Sequence, residues 1–133
     1  MKLPEIEIHR YGLLKLDRKK LPTKVVVAIA RNLDALTAVY REEDQKRIDL
    51  LRECVAKDRS GKLLAEEDEN GQKKYKFKKA GEKRFNAEYG AMLEKDFNIP
   101  IIKITTADLE ACDGQRFDAL TVGEAQALTF MLQ

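Results

Sequence analysis

Two cysteines, Cys54 and Cys112, stand far apart in a chain of 133 residues. That is too few for a secreted, disulfide-stapled scaffold, so both read as free thiols in a reducing compartment. The single histidine, His9, leaves no Cys/His set able to hold zinc. No apolar run approaches the roughly 18 residues that a membrane span requires. The opening MKLPEIEIHR mixes charge and apolarity and has no signal-peptide core. No glycine loop of the Walker or dinucleotide type is present, which removes the usual phosphate cradle of a nucleotide cofactor. Neither cysteine sits in a nucleophile context, and His9 has no Cys or Ser motif beside it. The expectation is a protein that is not an enzyme, with no catalytic residue, cofactor or metal, outside any membrane, in the cytoplasm.

Charge is abundant but balanced: 25 basic and 23 acidic residues give a net +2. That balance exerts no overall pull on nucleic acid or anionic lipid, so binding of that kind needs a local patch. The apolar fraction of 44% suffices for a core, and the charged fraction of 36% suits a helix-rich chain with long solvated faces.

The dominant feature that is present is the stretch Pro22–Lys57, which holds no proline or glycine after its first residue. It predicts one helix of about 35 residues, roughly 50 Å long. Proline suits the first helical position. Val26, Ile29, Leu33, Leu36 and Tyr40 recur at spacings of three and four, widened by Val25, Val27 and Ala28, and Ile48, Leu51 and Val55 resume the stripe. Arg41–Arg47 interrupts it and reads as a solvated face. The N-terminal end is expected in the core and the other end as an arm. Asp58-Arg-Ser-Gly61 is read as the end of the helix, with Gly61 in the left-handed conformation.

The remaining elements complete a single α+β domain dominated by helix. Ile6 and Ile8 alternate with charged residues, the period of a strand, and Tyr11–Leu16 extends it, giving a β element over residues 5–16. Residues 62–78 read as a β-hairpin turning at Asn70-Gly71, with a disordered loop as the alternative. A second helix from about Lys79 to Phe97, with Phe85, Tyr89, Met92 and Leu93 on its apolar face, returns along the first to make a helical hairpin over residues 22–97. Gly81 and Gly90 weaken it by about 1 kcal/mol each relative to alanine. Ile101, Ile102 and Ile104 read as a strand over residues 100–105, pairing with the N-terminal one. Thr105–Asp108 and Thr121–Glu124 are capping boxes, the latter opening a C-terminal helix over residues 121–132.

One segment stands out as a surface for a partner: Lys73, Lys74, Tyr75, Lys76, Lys78 and Lys79, followed by Lys83 and Arg84. Lysines interleaved with Tyr75 and Phe77 can meet phosphates while the rings stack on bases. The competing reading is a strand whose lysines face water and guard an edge. Glu66–Glu69, across the hairpin, would neutralise part of the charge. Glu66–Gly71 has a faint likeness to a calcium loop but lacks the spaced ligands.

The order of short motifs resembles a family of small tailed-phage and prophage proteins of uncharacterised function. Those motifs are Leu21-Pro22-x-Lys24, Asn32-Leu33, Arg47-x-x-Leu50-Leu51 and Lys57-Asp58-x-x-Gly61, then Asn70-Gly71 and Phe85-Asn86-x-Glu88. Ile101-x-x-Ile104-x-x-x-Asp108-Leu109, Leu120-Thr121 and Phe130-Met131-Leu132 close the series. The likeness covers most of the chain after Leu21. It implies a phage origin and a non-enzymatic role, in the cytoplasm of the bacterial host or in the virion, and transfers no catalytic residue. The functional expectation is an interaction protein with a phage or host protein partner: a virion or assembly component, or an inhibitor of a host defence system. Its working surface would be the hairpin arm. The alternative is a nucleic-acid-binding accessory protein using residues 73–84.

Overall fold

The computed structural model describes all 133 residues. Helix α1 spans Leu3–Leu14 and α2 spans Thr23–Cys54; strands β1 (Ala65–Glu67) and β2 (Lys73–Tyr75) follow. Then come α3 (Gly81–Glu94), α4 (Thr106–Glu110) and α5 (Val122–Leu128), with short 3-10 turns at Ala111–Asp113 and Thr129–Met131. The fold is α+β and helix-dominated. It contains an antiparallel helical hairpin, a two-stranded sheet and a C-terminal helix. The chain divides into two compact units, Met1–Tyr40 with Asp96–Gln133, and Arg41–Lys95.

In the first unit, α1 replaces the strand expected over residues 5–16. Pro4 sits in its first turn and the Glu5 carboxylate accepts the Lys2 backbone N–H at 3.1 Å. Both features favour a helix start. The side chains it buries are Leu3, Ile6 and Leu13, spaced three and seven apart. Ile8, the residue that completed the apparent alternation, is 69% exposed. The core joins Ile6, Leu13 and Leu16 to Val25, Ala28 and Leu36 of α2 and to Ile104, Cys112, Leu128 and Met131. Arg10 fastens α1 to α2: its Nε donates to Thr37 Oγ1 at 3.1 Å and its guanidinium lies 4.6 Å from the centre of the Tyr40 ring.

The buried seam of α2 is rotated from the expected stripe. Val25 and Ala28 are buried, whereas Val26 and Val27 are exposed. Asn32, a polar residue outside the expected stripe, lies in the seam and is 1% exposed. The strand expected over residues 100–105 also does not form. Ile102 is held instead by Asn32, and Ile104 makes one parallel bridge to Leu132. Within Arg41–Arg47, read as a solvated face, Glu43 is buried and accepts from Lys46 Nζ at 2.9 Å.

In the second unit, α2 ends at Cys54 and the backbone enters a three-way junction. Ala56 N donates to Lys76 O, Lys76 N to Leu64 O, and Leu64 N to Ala56 O, each at 2.8–2.9 Å. Three antiparallel arms leave this ring of bonds. One is the pair Lys57↔Leu63, another is β1 on β2, and the third is Val55↔Phe77, which leads into the two helices. The two hairpin arms close with the same five-residue turn, Asp58-Arg-Ser-Gly61-Lys62 and Asp68-Glu-Asn-Gly71-Gln72. In each, the aspartate Oδ1 accepts two backbone N–H groups at 2.9 Å and the glycine has φ of +87° or +76°. Gly61 is therefore left-handed as expected, but in a hairpin turn rather than at a helix end. Asp58 is held below the usual carboxylate range, chiefly by the Ser60 hydroxyl and then by the backbone N–H of Lys62.

Helix α3 runs antiparallel to the end of α2. Arg84 near its start reaches Glu53 at 2.6 Å, and Met92 near its end borders the same cleft as Lys46. Gly81 permits the close start: a Cβ there would lie 2.2 Å from Cys54 O. Leu50, Leu51, Cys54 and Val55 supply the buried apolar side chains of this unit. No helix of the chain is long and apolar enough to cross a membrane.

Candidate functional site

The residues singled out by sequence are divided by the structure into three groups. Lys73, Lys74 and Tyr75 form β2, where Lys73 faces Glu67 and Lys74 faces Glu66 in register. Lys76 Nζ lies 3.5 Å from Glu66 Oε1. These three lysines are set against the acidic strand, which offsets their charge across the hairpin. Arg84 is committed elsewhere, its guanidinium shared by Glu53 at 2.6 Å and Glu88 at 3.1 Å. Those bonds, Glu53 first, push its pKa above the ordinary arginine value. Lys78, Lys79 and Lys83 make no ion pair, and Lys78 and Lys83 border an open groove of about 640 Å³.

That groove lies wholly within the second unit. Its walls are Tyr75, Phe77, Lys78, Ala80, Glu82, Lys83 and Asn86, from the end of β2 to the first turns of α3. Tyr75 faces Ala65, which carries only a methyl, across the sheet, and is 42% exposed. Phe77, two residues on, packs against Phe85 with ring centres 5.9 Å apart and planes tilted by 40°, and Phe85 stacks on Tyr89 at 5.3 Å and 17°. Aromatic pairs at such distances favour offset or tilted packing and hold each other's orientation. Lys78, on the groove wall, is tied to the end of α2 through its backbone N–H, which donates to Cys54 O at 2.9 Å. Only part of this was legible in sequence. Asn86 stands in the sequence only in the motif Phe85-Asn86-x-Glu88, with no binding role, and nothing there signals Glu82; both join the site because α3 starts directly after a left-handed Ala80.

Exposed apolar side chains are concentrated in the other unit, and Tyr75 is the exception. On α1, Ile8 is 69% and Tyr11 61% exposed, and Val122 at the start of α5 is 78% exposed. Ile8 and Tyr11 are three apart and share a helix face. The Lys15 ammonium lies 4.4 Å from the Tyr11 ring centre. α1 packs on α5 at Gly12, beside Ile8 and Tyr11, where a Cβ would lie 3.0 Å from Ala127 Cβ, while Leu3, Ile6 and Leu13 are buried on the far side. His9 stacks on Phe130 with ring centres 4.1 Å apart, and this burial lowers its pKa against the opposing pull of Glu5. His9 is thus a packing residue of a helix rather than a member of a strand.

Both cysteines are buried thiols. Burial pushes Cys112 above its ordinary value, with Asp113 and Asp108 adding to the effect, so its reactive thiolate form is disfavoured. The acidic turn at Glu66–Gly71 spends Asp68 Oδ1 on the N–H groups of Asn70 and Gln72. Compared with protein-family models, curated proteins and solved structures, the chain matches none.

Proposed function

We propose that this chain is a phage-encoded, non-enzymatic protein-interaction protein, acting as a virion or assembly component or as an inhibitor of a host defence system. The observation that carries the interaction reading is the exposed pair Ile8 and Tyr11 on α1. Large apolar side chains at i and i+3 on a helix whose other face is packed are the anchors of helix-in-groove recognition. The partner chemistry this fits is an apolar groove on another protein, with an acidic rim to meet Lys15. The phage origin draws its support from the ordered motifs between Leu21 and Leu132. Serine at both Ile8 and Tyr11 should leave the melting temperature unchanged and abolish capture of a defined phage or host protein, while Val122→Ser retains it. Capture that survives the double variant would sink the reading. Mass spectrometry of purified particles separates a virion component, which is present in them, from an inhibitor, which is not.

A second reading, nucleic-acid binding through residues 73–84, is favoured by one observation. Unpaired Lys78 and Lys83 border the same groove as the exposed Tyr75 ring. Titration of single- and double-stranded probes at low salt, where phosphate contacts are strongest, tests it. Failure to bind either probe there would remove it.

A further inference from the structure

Resting on that second reading, we infer that the groove between β2 and α3 takes single-stranded nucleic acid, with one unpaired base lying on Tyr75 and the flanking phosphates on Lys78 and Lys83.

The argument starts from shape. The Tyr75 side chain is exposed on the wall of an open groove of about 640 Å³. A base inside a duplex has both faces covered by its neighbours and offers the ring no free face to stack on. A single strand can splay one base out and stack it, and single-strand sites are built on that arrangement. The uncovered ring arises from the pairing of Tyr75 with Ala65, which leaves one face open along the strand. Phe77, packed on Phe85, which in turn stacks on Tyr89, adds a second aromatic side chain to the wall of the groove.

Charge points the same way. Lys73, Lys74, Lys76 and Arg84 face acids, so the strong positive field of the linear sequence is largely spent within the fold. What remains at the groove is Lys78 and Lys83, enough for two phosphates and too little for the long double row of a duplex. Asn86 brings an amide that can both donate and accept at a base edge. Glu82, the acid on the groove, repels phosphate from its own position and accepts only from base amino groups. An acidic peptide would match the lysines but would leave the stacking surface without a flat partner.

The test is fluorescence anisotropy of the full chain with a short oligothymidylate, the duplex of equal length, and a polyglutamate peptide as competitor. The expected result is preference for the single strand by at least about tenfold. Tyr75→Ala should weaken it by about five- to a hundredfold without changing the salt dependence, and Tyr75→Phe should restore it. Lys78→Gln and Lys83→Gln should each reduce the slope of log affinity against log salt by about 0.7. Circular dichroism melts confirm that each variant is folded. Equal binding of duplex, or single-strand binding indifferent to Tyr75, overturns the inference while leaving nucleic-acid binding standing. Displacement by polyglutamate as effective as by unlabelled oligothymidylate identifies an acidic protein surface and also overturns it. No binding of either nucleic acid at low salt removes the underlying reading together with the inference.

Discussion

Asn32 holds Ile102 as a neighbouring strand would. Its Nδ2 donates to Ile102 O at 2.9 Å and its Oδ1 accepts from Ile102 N at 2.8 Å. One side chain thus satisfies both backbone groups of a segment that runs extended beside α2 without a sheet. Asn32 is 1% exposed, so the pair is shielded from water on the helix side.

Asn32→Ala should therefore destabilise the chain by about 2–4 kcal/mol, because two polar groups lose their partner and a small cavity remains. Asn32→Asp should recover only the contact to Ile102 N, since a carboxylate has nothing to donate to Ile102 O. That carboxylate is also buried against the Ile102 carbonyl, so urea unfolding should place both variants below wild type. Equal midpoints for wild type and Asn32→Ala would show that water replaces the amide without loss.

The two glycines of α3 should respond in opposite directions to alanine. A Cβ on Gly81 would meet Cys54 O at 2.2 Å, and that oxygen is backbone at the end of α2 and cannot swing away. Overpacking of this kind costs about 1–3 kcal/mol or more. At Gly90 nothing lies within 4 Å, and its helical position gains from a better helix former. Gly90→Ala should stabilise by about 0.5–1 kcal/mol. Paired thermal melts decide it; a loss of stability in both variants would mean that Gly90 also serves a contact.

These cases mark what could be read from the chain alone. The long helix was legible because its apolar residues keep a helical period over many turns with no proline or glycine to break it. Asn70-Gly71 was legible because few dipeptides tolerate positive φ so well. The matching turn at Ser60-Gly61 stands ten residues earlier, but it follows a helix, and a glycine there reads equally as the helix end. Ile6 and Ile8 misled for a different reason. A short alternation fits a strand and also one turn of helix with an exposed isoleucine, and only Pro4 and Glu5 argued for the helix. Asn32 could not be foreseen, since its worth lies in a partner 70 residues away. The candidate groove was half visible. Lysines and aromatics are in the sequence, but which lysines are neutralised depends on strand register and on Glu53, contributed by α2.

Ala80 holds the left-handed conformation, φ 63°, directly before α3, and it is the one non-glycine residue with positive φ. That conformation costs an alanine roughly 1–2 kcal/mol. Ala80→Gly should recover about 1 kcal/mol, less whatever glycine adds to the entropy of the unfolded chain. Ala80→Val, with a branched Cβ, should lose stability instead. Because Ala80 also borders the groove, the glycine variant separates strain from binding: its melting temperature rises, and its affinity for any ligand of the groove stays the same.

Acid should loosen the first unit through Glu124. Its carboxylate is paired with Lys19 at 2.7 Å and accepts the Thr121 backbone N–H at 3.0 Å, closing the capping box of α5. These bonds, Lys19 first, lower its pKa from 4.5 to about 2. A carboxylate whose folded pKa is depressed binds fewer protons folded than unfolded. The stability it contributes is then complete above about 4.5 and lost as pH falls toward about 2. Asp108 is also lowered, first by the Thr105 N–H and then by Lys24, and adds to the same acid limb. Thermal melts of wild type and Glu124→Gln across that window should converge as pH falls, because the wild-type carboxylate becomes neutral like the amide. A constant difference between the two at every pH would show that Glu124 acts by shape and hydrogen bonding alone, with its charge contributing nothing.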